Sequence, residues 1–194
     1  MSRTAAALAV LALAGCASNG PAPPHAAHDA ARLAALEAHL AAHDSATESL
    51  TQWCAAEHIA DPAVITARPV RGGKTTPPGN LHGLLAADAA EPIGYRHVEL
   101  ACGKRALSFA HNWYVPSRLT PAMNRALAET DTPFGKVAGS LKFRREPLET
   151  LFTPPPECPK DTVSAHRALL RLPDGRPLAY VVECYTRANL AGGN

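Results

Sequence analysis

The stretch from Pro92 to Gly135 decides the fold of this chain. It contains two β-prone runs, YRHVELAC at residues 95–102 and ALSFAHNWYV at residues 106–115, and the break between them contains Gly103-Lys104. Two such runs around a short glycine-containing break predict a β-hairpin.

Two helix starts and a second hairpin follow the first hairpin. Thr120-Pro121 and Thr132-Pro133 each place a capping hydroxyl before a proline at the first helical position. Near the C-terminus, β-prone runs at residues 163–172 and 177–187 surround the turn Pro173-Asp174-Gly175. We expect this last hairpin to pair with the first one.

The rest of the chain supplies helices and single strands. Apolar periodicity and the capping box Ser45-Ala46-Thr47-Glu48 predict helices at residues 31–42 and 45–58. Other segments predict strands at 64–70 and 143–148 and a short helix at 81–90. Helices segregated from hairpin-joined strands indicate an α+β fold, an antiparallel sheet of about five to six strands with helices packed on one side. Such a layered fold can enclose a pocket between sheet and helices.

The N-terminus is typical of a bacterial lipoprotein signal peptide. Arg3 precedes an apolar run at residues 5–14, and Leu13-Ala14-Gly15-Cys16 is a lipobox. The run is shorter than the roughly 20 apolar residues that span a bilayer. We therefore expect cleavage of residues 1–15 and lipidation of Cys16, with an uncleaved anchor helix or a chance apolar start as the alternatives. Ala17-Ser18 lacks the aspartate that often retains such proteins at the inner membrane, which favours the outer membrane and a protein facing the periplasm.

The mature chain is organised as a tether and one domain. Residues 16–31 contain three prolines and predict a flexible tether. Residues 32–194 suit a single domain by their length. The formal net charge of +2 and the lack of an arginine-rich or aromatic-basic cluster exclude a typical nucleic-acid binder.

Four cysteines remain once Cys16 carries lipid, namely Cys54, Cys102, Cys158 and Cys184. An even number in an oxidising compartment is compatible with two disulfides, in any of three pairings. Buried free thiols are the alternative. No pair has the close spacing of a zinc site or of a redox-active motif.

No stretch of the chain is a self-sufficient catalytic or cofactor-binding motif. A nucleophile elbow, a phosphate-binding loop and a dinucleotide fingerprint are all missing, so no cofactor is predicted. His39 and His43 lie one helical turn apart, but the glutamate of a zinc-binding HExxH helix does not accompany them. A polar helix face explains them better, and no metal site is predicted.

Glu183 is the residue that points most directly to a site. It lies in the apolar run AYVVECY at residues 179–185. In a central strand its carboxylate would be buried and would need a partner. The arginines considered as partners are Arg96, Arg167, Arg171 and Arg187. An edge strand, with Glu183 pointing to water, is the alternative.

Three stretches resemble the chorismate lyase family. They are WYVPSRLT at residues 113–120, DTPFG at 131–135 and LPDGRPL at 172–178, the last followed by Glu183. The resemblance spans roughly residues 60–190. It implies the chorismate lyase fold, which also serves as the effector-binding domain of some bacterial transcription regulators.

The resemblance also implies an activity and a set of site residues. The family eliminates pyruvate from chorismate to give 4-hydroxybenzoate, in a closed pocket that uses arginines and a strand glutamate. By this resemblance Glu183 is the catalytic candidate, and Arg96, His97, Asn112 and Tyr114 are candidates for ligand binding. Glu183 matches only with a one-residue insertion. The family's two arginines fall on His97 and Asn112, with Arg96 one place away.

Three functions follow from the sequence. The first is a periplasm-facing lipoprotein that binds a small aromatic or carboxylated ligand. The second is an active chorismate pyruvate-lyase, although chorismate is cytoplasmic and a lipoprotein works outside the inner membrane. The third is a structural or partner-binding envelope protein whose pocket is filled by its own side chains.

Overall fold

A six-stranded antiparallel sheet forms the frame of the protein. The computed structural model describes residues 24–71 and 75–192. The sheet has the order β1-β2-β3-β6-β5-β4, so the β2–β3 and β5–β6 hairpins meet at its centre. The strands are β1 (Ile65–Pro69), β2 (Gly94–Cys102), β3 (Arg105–Tyr114), β4 (Arg144–Leu151), β5 (Thr162–Arg171) and β6 (Pro177–Thr186).

Five helices and three short 3₁₀ turns accompany the sheet. Helices α1, α2, α4 and α5 cover one face, called here the helix face, and the single turn α3 lies on the other, the back face. The helices are α1 (Pro24–Ala41), α2 (Ala46–Ala56), α3 (Leu81–Leu84), α4 (Pro121–Glu129) and α5 (Phe134–Ala138), and the 3₁₀ turns are Pro116–Arg118, Gly139–Leu141 and Arg187–Asn189.

The predicted fold class and both hairpins are confirmed. Two of the predicted helix caps also form, because Ser45 Oγ accepts from Glu48 N and Thr120 Oγ1 accepts from Met123 N. The third differs: Pro133, not Thr132, is the capping residue of α5, and it makes no side-chain cap. Thr132 instead shares a hydrogen bond with Thr130.

Helix α1 begins earlier in the chain than expected. Residues 24–31, assigned above to the flexible tether, are helical. Alanine dominates this segment and has the highest helix propensity of all residues, which explains the longer helix. The lipobox and Cys16 lie outside the described residues. No helix within the described ranges is long and apolar enough to cross a membrane.

The apolar core is divided between the two faces of the sheet. On the helix face, Leu36 and Leu50 of α1 and α2 pack over the β1–β2 half, and Phe134 of α5 packs over the β5–β6 half. On the back face, Leu85 and Trp113 belong to a third cluster. All ten residues of β6 are buried, because this strand is covered on both faces and paired on both sides.

The four cysteines form two disulfides. Cys54–Cys102 joins α2 to the end of β2, and Cys158–Cys184 joins the β4–β5 connection to β6. Their sequence separations are 48 and 26 residues. In the chain-entropy model, loops of these lengths stabilise the folded state by roughly 4 and 3.5 kcal/mol. The first bridge also fixes α2 against the sheet.

Candidate functional site

The central strand β6 carries a buried carboxylate into the protein interior. Glu183 is 6 % exposed on the helix face, so the central-strand interpretation of its sequence is correct. Its partner is Arg145 of β4, whose Nη2 lies 2.5 Å from Glu183 Oε2. The Tyr185 hydroxyl donates to the same oxygen at 3.0 Å. None of the four arginines named from the sequence occupies this position.

Arg145 is held tightly and retains unused hydrogen-bonding capacity. Its backbone N–H donates to Asp44 Oδ1 at 2.8 Å, which fixes β4 to the α1–α2 connection. Burial lowers the pKa of Arg145, but the adjacent Glu183 carboxylate outweighs that effect and the pKa is raised. The guanidinium is therefore charged at every physiological pH. Its buried Nη1 has no acceptor among the described residues.

A small cavity lies beside this ion pair. It is enclosed by the sheet and by the first turns of α2 and α5, and its volume of about 20 Å³ leaves room for one water molecule. Its polar lining includes Asn112, Arg145 and Glu183, and its apolar lining includes Val98 and Val181. The expected pocket between sheet and helices therefore exists, although it is nearly filled by the protein's own side chains.

The first turns of α2 and α5 touch at Gly135. A Cβ at this position would collide with Ser45 Oγ and would lie 2.9 Å from Thr47 Oγ1. A larger residue would either turn the Ser45 side chain away, at the cost of the α2 cap, or push the two helices apart. Glycine allows the close approach without either change.

Two of the predicted ligand contacts lie on the helix face outside the cavity lining. Arg96 donates to the Thr130 and Thr132 carbonyl oxygens, both at 2.7 Å. It anchors the α4–α5 connection. Tyr114 packs against Phe134 with ring centroids 5.6 Å apart. Asn112, which is 6 % exposed, is the predicted binding residue that the cavity does reach.

His97 lies on the back face, where it cannot reach the cavity. Side chains alternate along β2, so Arg96 and His97 point to opposite faces. The His97 ring stacks on His111 at a centroid distance of 3.9 Å, and neither of its buried ring nitrogens has a partner among the described residues. Burial, with a smaller effect of His111, lowers the pKa of His97 to about 4.

His111 is fixed in one neutral tautomer at the centre of this back-face stack. Its Nε2 donates to the Glu157 carbonyl oxygen at 3.1 Å, and its Nδ1 accepts from the Tyr95 hydroxyl at 2.9 Å. Burial lowers the pKa of His111 as well. Both rings therefore pack in the back-face stack, on the side of the sheet away from the cavity.

A second polar group borders the ion pair beneath α1. Glu37 accepts from the Ser164 hydroxyl at 2.6 Å and lies 2.8 Å from His166 Nε2. Burial raises the pKa of Glu37, but the hydrogen bonds from His166 and Ser164 outweigh it and the pKa is lowered. The sequence analysis identified neither this cluster nor Arg145 as the partner of Glu183. Arg145 lies two residues after the buried Phe143, and side chains two residues apart on an extended segment share a face, so this spacing could have placed Arg145 towards the core.

The sequence of this chain is similar to that of a known protein. The uncharacterized protein y4mC of Sinorhizobium fredii is 42 % identical over 175 residues, which cover 79 % of this chain and 73 % of y4mC. The chain belongs to the y4mC family. No protein-family model matches the sequence.

Solved structures resemble the chain in fold. The effector domain of PhnF from Mycobacterium smegmatis superposes with a TM-score of 0.53 at 13 % identity, over 74 % of this chain and 88 % of that domain. A second crystal structure of PhnF gives the same TM-score, with 64 % of that chain covered. The y4mC family thus has the chorismate lyase-like fold of regulator effector domains.

We predict that Arg145 and Glu183 are coupled in stability. Arg145→Met leaves the Glu183 carboxylate buried without its cation, so it should destabilise the fold by about 3–5 kcal/mol. Adding Glu183→Met to this variant should recover part of that loss, because an apolar pair needs no compensating charge. Urea unfolding of the two single variants and the double variant measures the coupling. Additive losses would contradict it.

We predict a second effect, on acid stability, from His97. Because its pKa is lowered in the folded state, the unfolded chain binds more protons and stability falls as pH drops from about 6.5 to 4. His97→Phe keeps an aromatic ring in the stack and removes this titration. Its free energy of unfolding should therefore change less between pH 7 and pH 5 than that of the wild type. Identical changes in the two proteins would show that His97 does not titrate in this range.

Proposed function

We propose that this chain is a small-molecule-binding protein whose site is the cavity beside Arg145 and Glu183. The observation that carries the proposal is the unsatisfied donor of a buried cation. Arg145 Nη1 is buried without an acceptor among the described residues, and Arg145 and Asn112 both line the cavity. Buried donors are normally hydrogen-bonded, so this one calls for a water or a ligand acceptor.

Binding explains the site better than lyase chemistry does. The Arg96 guanidinium donates hydrogen bonds to two backbone carbonyls, and Glu183 already accepts hydrogen bonds from Arg145 and Tyr185. The other position where the resemblance calls for an arginine holds Asn112. A chorismate lyase reaction needs cations free to hold two carboxylates, and the described residues of this cavity offer only Arg145, which is already paired.

We further propose that the protein is a lipoprotein that faces the periplasm from the outer membrane. The lipobox ending at Cys16 supports the lipid anchor. The two disulfides support an oxidising compartment, since disulfides are rare in reducing ones. The ligand would then be a small molecule present in the envelope, with a hydrogen-bond acceptor for Arg145.

Ligand binding is testable with the soluble form that starts after Cys16. We expect millimolar 4-hydroxybenzoate or its methyl ester to raise the melting temperature by a few degrees, because a ligand that binds only the folded state stabilises it. Asn112→Ala, which leaves the ion pair intact, should abolish the shift. Tyr114→Phe, on the same face and outside the cavity lining, is the matched control and should retain it.

The outcomes of this experiment separate the candidate functions. No shift with either compound would contradict the proposal. A shift that survives Asn112→Ala would place the binding elsewhere. Release of pyruvate from chorismate above the uncatalysed rate would establish the lyase instead.

Lipidation is testable in cells. The wild-type chain should incorporate an alkyne-tagged fatty acid and fractionate with the outer membrane. Cys16→Ser should lose both the label and the membrane association, while a Cys54→Ser/Cys102→Ser variant keeps the label. Unlabelled wild-type protein would contradict the anchor.

A further inference from the structure

The cavity beside Arg145 is too small to hold a whole ligand, but a larger groove lies directly outside it. This outer groove has a volume of about 710 Å³, within the range of roughly 300–1,000 Å³ that is typical of small-molecule sites. It runs between the outer side of α2, the segment before β1, and α5. A space of about 20 Å³, in contrast, accommodates a single hydroxyl or carbonyl oxygen.

A wall one residue thick separates the two spaces. The residues that line both are Asp44, Ser45, Thr47, Gly135 and Phe143. Gly135 contributes no side chain to this wall. The groove and the cavity are thus adjacent across the first turns of α2 and α5.

The outer groove has both apolar and polar lining. Its apolar surface comes from Ala63, Val64, Ile65 and Phe143, and Val64 is 48 % exposed although it is a large hydrophobic residue. Hydroxyl, amide and charged groups are contributed by Thr47, Thr51, Gln52, Glu48 and Lys136. This combination suits a molecule with an apolar or aromatic body.

The charges at the inner end favour a neutral group. The Arg145 guanidinium pairs with Glu183 at 2.5 Å, and the charge of Asp44, which accepts from the Arg145 backbone N–H, further stabilises the cation. The Arg145 charge is thus already neutralised, and a ligand carboxylate placed here would meet excess negative charge. A hydroxyl or carbonyl oxygen can accept from Arg145 Nη1 without that repulsion.

We propose that the ligand is a neutral amphipathic molecule whose apolar body lies in the outer groove and whose single polar oxygen enters the inner cavity. This inference rests on the proposed function and names the class of ligand that the site takes. It narrows the aromatic or carboxylated ligand expected from the sequence to an uncharged one.

Three probes that differ only in charge and tail length test the inference. They are 4-hydroxybenzoate, its methyl ester and its butyl ester, and their dissociation constants for the soluble form are measured by calorimetry. With the phenolic hydroxyl in the inner cavity, the carboxyl end of each probe lies in the outer groove. The methyl ester should therefore bind more tightly than the acid, whose carboxylate would lose hydration against apolar surface there. The butyl ester should bind about tenfold more tightly than the methyl ester, because its three additional methylene groups are partly removed from water in the groove.

Substitutions in and outside the groove locate the effect. Val64→Asp places a charge in the groove at an exposed position, so it should remove the advantage of the butyl ester and leave the methyl ester unchanged. Phe152→Asp is the matched control, because Phe152 is 62 % exposed and lies outside the groove lining. It should leave all three constants unchanged.

Each outcome has a definite meaning. If the acid binds as well as the esters, or if Val64→Asp has no effect on the butyl ester, the inference is wrong and the proposed function stands. If none of the three compounds binds, both are wrong. A tail effect that disappears with Phe152→Asp instead would overturn the placement in the groove.

Discussion

The pairing of β3 with β6 is the constraint on which the rest of the structure depends. It joins two hairpins into one sheet and makes β6 a central strand, buried along all ten residues. A glutamate on such a strand cannot remain charged without a partner. Arg145 therefore reaches across β5 from the edge strand β4, and Asp44 fixes its backbone. The polar centre of the cavity is thus a consequence of sheet order rather than of any local motif.

Turn and capping motifs in the sequence predicted the fold well, because each hairpin and helix start is formed by residues that are close together in the chain. The hairpins, the cap of α2 and that of α4 depend on residues close together in sequence, and each formed as expected. The partner of Glu183 could not be found in this way. Arg145 is 38 residues away, and its approach depends on two strand pairings. The alternation of side chains along β2 could show that Arg96 and His97 point to opposite faces. It could not show that Arg96 donates to backbone carbonyls of the α4–α5 connection.

The chorismate lyase-like fold occurs here with other side chains at the two positions where the resemblance calls for arginine. His97 stacks on a second histidine of the back face, and Asn112 offers an amide where the resemblance calls for an arginine. Both differences remove positive charge relative to the arginines of the resemblance, and the carboxylates of Asp44 and Glu37 near Arg145 shift the local charge further towards negative. Similarity to PhnF thus extends to the fold, while the charges around the cavity are set by side chains of this chain.

The wall between cavity and groove is unequally supported, and this inequality determines how a ligand would enter. Helix α2 is eleven residues long, is capped by Ser45 and is joined to β2 by Cys54–Cys102. Helix α5 is five residues long, has no side-chain cap and is held mainly by apolar packing of Phe134 and Ala138. Short elements with few constraints open at a smaller free-energy difference than cross-linked ones. A polar group that passes Gly135 would therefore displace α5, while α2 and the Arg145–Glu183 pair keep their positions.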